Sequence, residues 1–223
     1  MTQRDGWTIV LLCALVGPGA GGVPGRGATG AVQTAQQPQT PSGADATDQP
    51  LTLEVRVFDA TDEVTSETRV RIFKAGGRTN PRTIRATSGA ATVQVPVGFY
   101  DLQAVREREG QVAGIRWAER RLVQRYPQQQ GRHLEVVNLQ PGYGALQIRG
   151  SASEPGDVTW RANIYKSGNA TQEAGKSNKG GDYLLFVVPA GRYDVQILPA
   201  LGQPVWLRNV DVPADQTRFK AWE

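Results

Sequence analysis

The residues able to do chemistry in this chain are few, and their scarcity narrows the options. One histidine, His133, and one cysteine, Cys13, are present. Zinc sites need three or four nitrogen, sulfur or carboxylate ligands, and imidazole is the commonest general acid–base, so these two routes are all but closed. There is no Gly-x-Ser-x-Gly elbow and no phosphate-cradling glycine loop. Asp59, Asp62 and Glu63 crowd the segment DATDEVTSE, but the Asp-x-Asp-x-Asp-Gly run that wraps calcium is missing. His133 follows the polar run QQQG and is expected in an exposed turn. The sequence therefore assigns no catalytic residue, no metal ligand and no cofactor.

What remains is binding chemistry. Arg106, Arg108, Arg116, Arg120, Arg121, Arg125 and Arg132 fall within one short stretch. On an extended strand Arg106 and Arg108 share a face while Glu107 and Glu109 take the other. With Arg116, such guanidinium forks could grip phosphate, sulfate or uronic-acid groups. The competing reading is a solvated hairpin whose charges guard a sheet edge. Among the tryptophans, Trp117 and Trp206 recur at matching places and are expected in a core or at a corner. Trp160 and Trp222 have no counterparts and are the candidates for exposed rings that stack on sugars. The candidate ligand-binding set is Arg106, Arg108, Arg116, Trp160 and Trp222.

Net charge is +4. Residues 51–138 carry fourteen basic and ten acidic groups, so they hold the whole excess. That suits loose contact with acidic polymers and falls short of a nucleic-acid-binding signature, which would also need an interleaved aromatic run. No nucleic-acid partner is expected.

Thr8 to Val16 (TIVLLCALV) is an apolar run too short to span about 30 Å of hydrocarbon as a helix. It fits the apolar centre of a secretory signal peptide, over residues 1–20, with Ala20 or Ala35 as possible cleavage points. The mature chain is then expected to be periplasmic or secreted, with no transmembrane span. Cys13 lies inside the apolar run and follows Leu12, which is not the small residue that precedes a lipidated cysteine, so lipidation is not expected. Residues 21–50, rich in Gly, Ala, Gln, Thr and Pro, read as a disordered linker.

The elements that must carry the binding residues announce themselves by repetition. VPVGFYDLQ (Val95 to Gln103) recurs as VPAGRYDVQ (Val188 to Gln196), RVRIFKAG (Arg69 to Gly76) as RANIYKSG (Arg161 to Gly168), and TLEVRV (Thr52 to Val57) as ALQIRG (Ala145 to Gly150). The offset stays close to 93 in all three, which marks a duplicated unit: residues 51–139 and 140–223. Apolar residues alternate within each block, as at Leu53, Val55 and Val57 against Thr52, Glu54 and Arg56. Such alternation, broken by Gly, Pro, Asn and Asp, predicts antiparallel strands and no amphipathic helix.

The shared motif Pro-x-Gly-x-Tyr-Asp predicts a structural corner. Pro96 and Pro189 end a strand, Gly98 and Gly191 are expected to supply a positive φ, and Tyr100 and Tyr193 begin the next strand with the hydroxyl bonded back to the backbone. With these strands, and WLRNVDVPAD (Trp206 to Asp215) as a closing element, residues 51–223 resemble bacterial carboxypeptidase-regulatory-like, or transthyretin-like, β-sandwich domains. That resemblance implies an all-β fold of two tandem small antiparallel β-sandwiches, prealbumin-like or Ig-like, and a role in binding, spacing or assembly. The expected function is an exported non-catalytic binding or structural module acting on a protein partner or an envelope polysaccharide. The alternative is a carbohydrate-binding module using exposed tryptophans.

Overall fold

The computed structural model describes residues 49–86, 89–150 and 158–222. The expected signal peptide, Cys13 and nearly all of the expected linker lie outside these residues. Strand-forming alternation becomes β1 (Leu51–Asp59), β2 (Asp62–Glu63), β3 (Thr68–Lys74), β4 (Arg82–Arg85), β5 (Ala91–Val95), β6 (Gly98–Arg108), β7 (Gln111–Val123) and β8 (Arg132–Asn138). The second half supplies β9 (Tyr143–Gly150), β10 (Arg161–Lys166), β11 (Glu173–Gly175), β12 (Ser177–Gly180), β13 (Tyr183–Pro189), β14 (Gly191–Leu198), β15 (Val205–Val212) and β16 (Thr217–Trp222). Helix is confined to two short 3-10 turns, Thr65–Glu67 and Pro127–Gln129, among the described residues.

The protein is an all-β tandem sandwich. In the first half, β1 pairs with β5 and β2, β8 runs parallel to β1, and a second sheet has the order β4-β3-β6-β7. In the second half the orders are β12-β13-β9-β16, with β16 parallel to β9, and β11-β10-β14-β15. The order β5-β1-β8 thus recurs as β13-β9-β16 and β4-β3-β6-β7 as β11-β10-β14-β15, each time with the closing strand parallel to the opening one, while β2 and β12 differ between the halves.

The inward residues of each pair of sheets form a core. Leu53, Val55, Val57, Val70, Ile72 and Leu102 meet in the first. Leu146, Ile148, Ile164, Phe186, Val195 and Ile197 meet in the second. A third apolar cluster joins the halves: Phe58 of β1 and Leu134 and Val136 of β8 pack against Ala145 of β9 and Tyr183 and Leu185 of β13. Each fully buried side chain such as Phe58 or Leu185 stabilises this contact by roughly 1.5–3 kcal/mol. The β1–β8 and β9–β13 sheets are therefore buried on both faces.

Polar residues on those faces are buried as well, and they are paired, as burial requires. Arg56, 5% exposed, forms a bidentate ion pair with Glu63 and donates across the junction to the Lys179 carbonyl at 3.5 Å. The Tyr183 hydroxyl donates to Glu54. Burial first, and the Glu54 carboxylate second, push the Tyr183 phenol well above its ordinary range, which keeps it protonated as a donor. Arg149 donates to Asp182 at 2.9 Å and to the Gln128 carbonyl at 2.7 Å.

The turn between the halves is short and tied down. Asn138 accepts from the Ala60 and Gln140 amides and donates to the Ala60 carbonyl, while the Ala190 amide donates to the Gly142 carbonyl at 2.7 Å. Just beyond it Gly144 passes so close to the β15–β16 connection that a Cβ there would sit 2.2 Å from the Pro213 carbonyl oxygen. That contact is with backbone and cannot relax cheaply. We expect Gly144→Ala to destabilise the protein by about 1–3 kcal/mol. Gly191→Ala, where a Cβ would meet the Tyr193 ring at an ordinary 3.5 Å, should stay within about 0.5 kcal/mol of wild type. Thermal melts of the two variants check this.

Candidate functional site

The repeated motif builds a corner at one end of each sandwich. The Tyr100 hydroxyl donates to the Pro96 carbonyl at 2.9 Å, and the Tyr193 hydroxyl to the Pro189 carbonyl at 2.5 Å. The two glycines expected to have a positive φ differ from each other. Gly98 has φ 159°, close to extended, and Gly191 is not among the residues with positive φ. The chain enters β6 and β14 without a left-handed step, and a Cβ at either glycine would stand at an ordinary distance from the tyrosine ring, 3.7 Å at Gly98 and 3.5 Å at Gly191.

The left-handed residues lie across the sheet, at Arg120 (φ 51°) and Asn209 (φ 53°), opposite β-bulges at Tyr100/Leu102 and Tyr193/Val195. The motif aspartates hold both in place. Asp101 accepts from the Arg120 amide at 2.8 Å and the Gly76 amide at 3.1 Å. Asp194 accepts from the Asn209 amide at 2.9 Å, the Gly168 amide at 3.4 Å and the Arg208 guanidinium at 3.0 Å. The signal for it in the sequence is the Tyr-Asp that both copies share.

The tryptophans depart from their expected places. Trp160 is buried in the second core and meets the half-buried Trp222 edge to face, with ring centroids 5.4 Å apart. Trp117 and Trp206 belong to neither core. They pair across the strands with Gln103 and Gln196, on the outward side. Each is half-buried between an aromatic neighbour and a guanidinium. Trp117 has Phe73 at 5.4 Å and Arg78 at 3.8 Å; Trp206 has Tyr165 at 5.8 Å and Arg208 at 3.9 Å. The outward side of Trp117 follows from strand parity: Ala118, not Trp117, points into the first core.

The arginine candidates separate. Arg106, 7% exposed, faces Asp59 at 2.6 Å and Glu67 at 2.8 Å. Arg108 shares Glu67 at 3.1 Å. These two arginines hold the Glu67 carboxyl below its ordinary range, Arg106 contributing most. Arg116 turns the other way and bridges to Asp215 of the second half at 2.8 Å. Arg106 and Arg108 thus share one carboxylate, and Arg116 belongs to a different place.

That place is a groove of about 740 Å³ at the junction of the two sandwiches. One wall is the edge strand β7, from Arg116 to Leu122, and the opposite wall runs from Ala214 to Phe219. The floor is β8. His133 was expected in an exposed turn, but it is 4% exposed on this floor. The reason is alternation: His133 and Glu135 share a parity with Val137, which points into the first core. The imidazole Nδ1 lies 3.0 Å from the Gln124 carbonyl and Nε2 lies 3.0 Å from Glu135 Oε1, so both ring nitrogens are engaged. Tyr126 stacks on His133 at 5.9 Å and on Phe219 of β16 at 5.4 Å, a column of three rings that spans both halves. Beside it Arg121, with 12% of its side chain exposed, stands 4.0 Å from Glu135, and its Nε makes no hydrogen bond among the described residues. Sequence reading had Arg116 and Arg121 as members of a stretch and could not know that residues 214–219 would face them.

No family model and no curated relative matches the sequence. Similar solved structures include the Bacillus anthracis TIE protein, 12% identical over 78% of this chain with a TM-score of 0.27. This chain spans 34% of the length of that protein. Two others are the minor pilin of Streptococcus agalactiae (10% identity, 77% of this chain and 94% of that one, TM-score 0.25) and the tip fimbrial protein of Porphyromonas gingivalis (8%, 71% and 81%, 0.28).

Two outcomes test the corner. Tyr193→Phe removes one hydroxyl and should cost about 0.5–1.5 kcal/mol in a thermal melt. The Asn209 amide first, with the other donors, lowers the Asp194 carboxyl to about 2. Because the folded value lies below the unfolded one, about 3.9, the stabilisation is complete above about pH 4 and is lost as pH falls through about 2. Asp194→Asn should therefore be less stable at pH 7 and should lose less stability than wild type between pH 4 and pH 2.

Proposed function

We propose that this chain is an exported, non-catalytic binding or structural module that acts on a protein partner or a cell-envelope polymer through the junction groove. The observation that carries this reading is the third core. It welds the two sandwiches along buried sheet faces, so the groove between them has two walls held in fixed relation, as a preorganised binding site needs. The signal-peptide pattern of residues 1–20 supports export, to the periplasm or beyond. No helix among the described residues is long and apolar enough to cross a membrane.

The non-catalytic reading draws support from the floor of the groove. Both nitrogens of His133 already face partners, so neither is directed at a substrate proton. Division into domains at 51–139 and 140–223 is supported by the separate core in each half, and the two tyrosine corners support likeness to carboxypeptidase-regulatory-like domains. The carbohydrate reading that rested on Trp160 and Trp222 is weakened, because those rings pack in the second core.

The test is capture from an envelope extract by the immobilised mature chain, with proteins and sugars of the eluate both analysed. A double change on the groove wall, Arg218→Glu with Phe219→Ala, is expected to reduce capture at least about tenfold, the effect of losing a few contacts. Trp206→Ala, on the outer face of the second half, should leave capture unchanged. Capture indifferent to the groove changes would refute the assignment.

A further inference from the structure

We propose that the junction groove binds an acidic polysaccharide, with the carboxylate of a uronic-acid residue on Arg121 and its ring against Phe219. This rests on the groove being the binding site and names the class of polymer it takes.

The first argument is the state of Arg121. A guanidinium carries five N–H donors in a rigid fork, and shielding it from water without acceptors is costly. Arg121 is seven-eighths shielded, its Nε is unpaired, and its nearest carboxylate contact, Glu135 at 4.0 Å, is too long for a hydrogen bond. Glu135 is meanwhile engaged by His133 at 3.0 Å and by the Thr217 hydroxyl at 3.4 Å. A planar carboxylate entering the groove would meet the terminal nitrogens of the fork, the geometry in which arginine binds carboxylates best.

The second argument is what surrounds it. Arg116 lies on the same wall and makes one bond, to Asp215 at 2.8 Å, leaving further donors. Arg120 and Arg218 also line the groove, are exposed, and form no ion pair among the described residues. The carboxylates of the lining are already engaged, Glu119 by Arg78, Glu135 by His133 and Asp215 by Arg116, so the arginines on the two facing walls keep donors for a chain with a repeated negative charge. The half-buried Phe219 ring is held by its stacking on Tyr126, which itself rests on His133, and a ring held in this way packs against the C–H face of a pyranose. Carboxylate recognition alone would equally suit an acidic peptide. The coupled aromatic wall favours the sugar.

The mature chain is tested against an array of oligosaccharides of two to six residues, comprising galacturonate, glucuronate and mannuronate oligomers and their neutral counterparts, with an oligo-glutamate peptide as control. At least one uronate series should bind, at least about tenfold tighter than its neutral counterpart and than the peptide, and should weaken as salt rises. Arg121→Gln and Phe219→Ala should each lower that affinity about tenfold or more, while Trp206→Ala leaves it unchanged. Circular dichroism establishes that each variant is folded; should Arg121→Gln fail, Arg218→Gln, on an exposed residue of the same groove, should still weaken binding several-fold. Equal binding of neutral sugars, tighter binding of the peptide, or uronate binding indifferent to the groove changes would overturn the proposal. If envelope capture depends on the groove but no uronate binds, the acidic-sugar assignment fails and the groove keeps its role.

Discussion

The contact on which the rest of this structure depends is the burial of the outer faces of two sheets against each other. In a free sandwich, the face of β1 that carries Glu54, Arg56 and Phe58 would meet water. Here Phe58 is fully buried and Arg56 nearly so, because β9 and β13 lie over them. An apolar contact of this kind is non-directional, and by itself it would permit sliding. The buried polar pairs remove that freedom. Tyr183 must reach Glu54, and Arg149 must reach both Asp182 and the Gln128 carbonyl, so the two sandwiches have one register. Leaving any of these groups unpaired in the interface would cost more than the pair itself contributes.

The groove is a consequence of that register. Both closing strands, β8 and β16, are edge strands, and the junction sets them close together with β7 along the side. Edges are ordinarily a hazard because their unpaired backbone invites other strands. In this protein they are lined with arginine, with the ring column of His133, Tyr126 and Phe219, and with the Arg116–Asp215 bridge. A flat face on either sandwich would offer charge without shelter. The groove combines charge with partial exclusion of water, where guanidinium–carboxylate contacts are stronger.

The duplicated corner shows how one motif can hold a sandwich without disulfides. Tyrosine closes the turn by its hydroxyl, and aspartate holds a left-handed residue and the preceding loop through backbone amides. The side chains around the corner then diverge. In the first copy the tryptophan is covered by Arg78, from the loop after β3, and in the second by Arg208, from β15 itself. The same stack is reached from different positions, which separates what the backbone requires from what the outer face can vary.

Strand alternation, the near-constant offset and the paired Pro-x-Gly-x-Tyr-Asp motifs made the all-β class and the duplication legible in the sequence, because period-two burial and backbone turns are local properties. Tyrosine corners were legible for the same reason, since the hydroxyl reaches a carbonyl only four residues back. The glycine dihedrals were not, because the left-handed step sits on the partner strand at Arg120 and Asn209. Nor was the exposure of the tryptophans, since parity depends on bulges that shift the register by one residue and so exchange the faces. His133 was misplaced because QQQG suggests a turn, while its alternation with Val137 becomes meaningful only once the core side of β8 is known. The groove lay wholly beyond the sequence. It joins Arg121 to Phe219 across nearly a hundred residues, and only the packing of one sandwich on the other brings them to the same place.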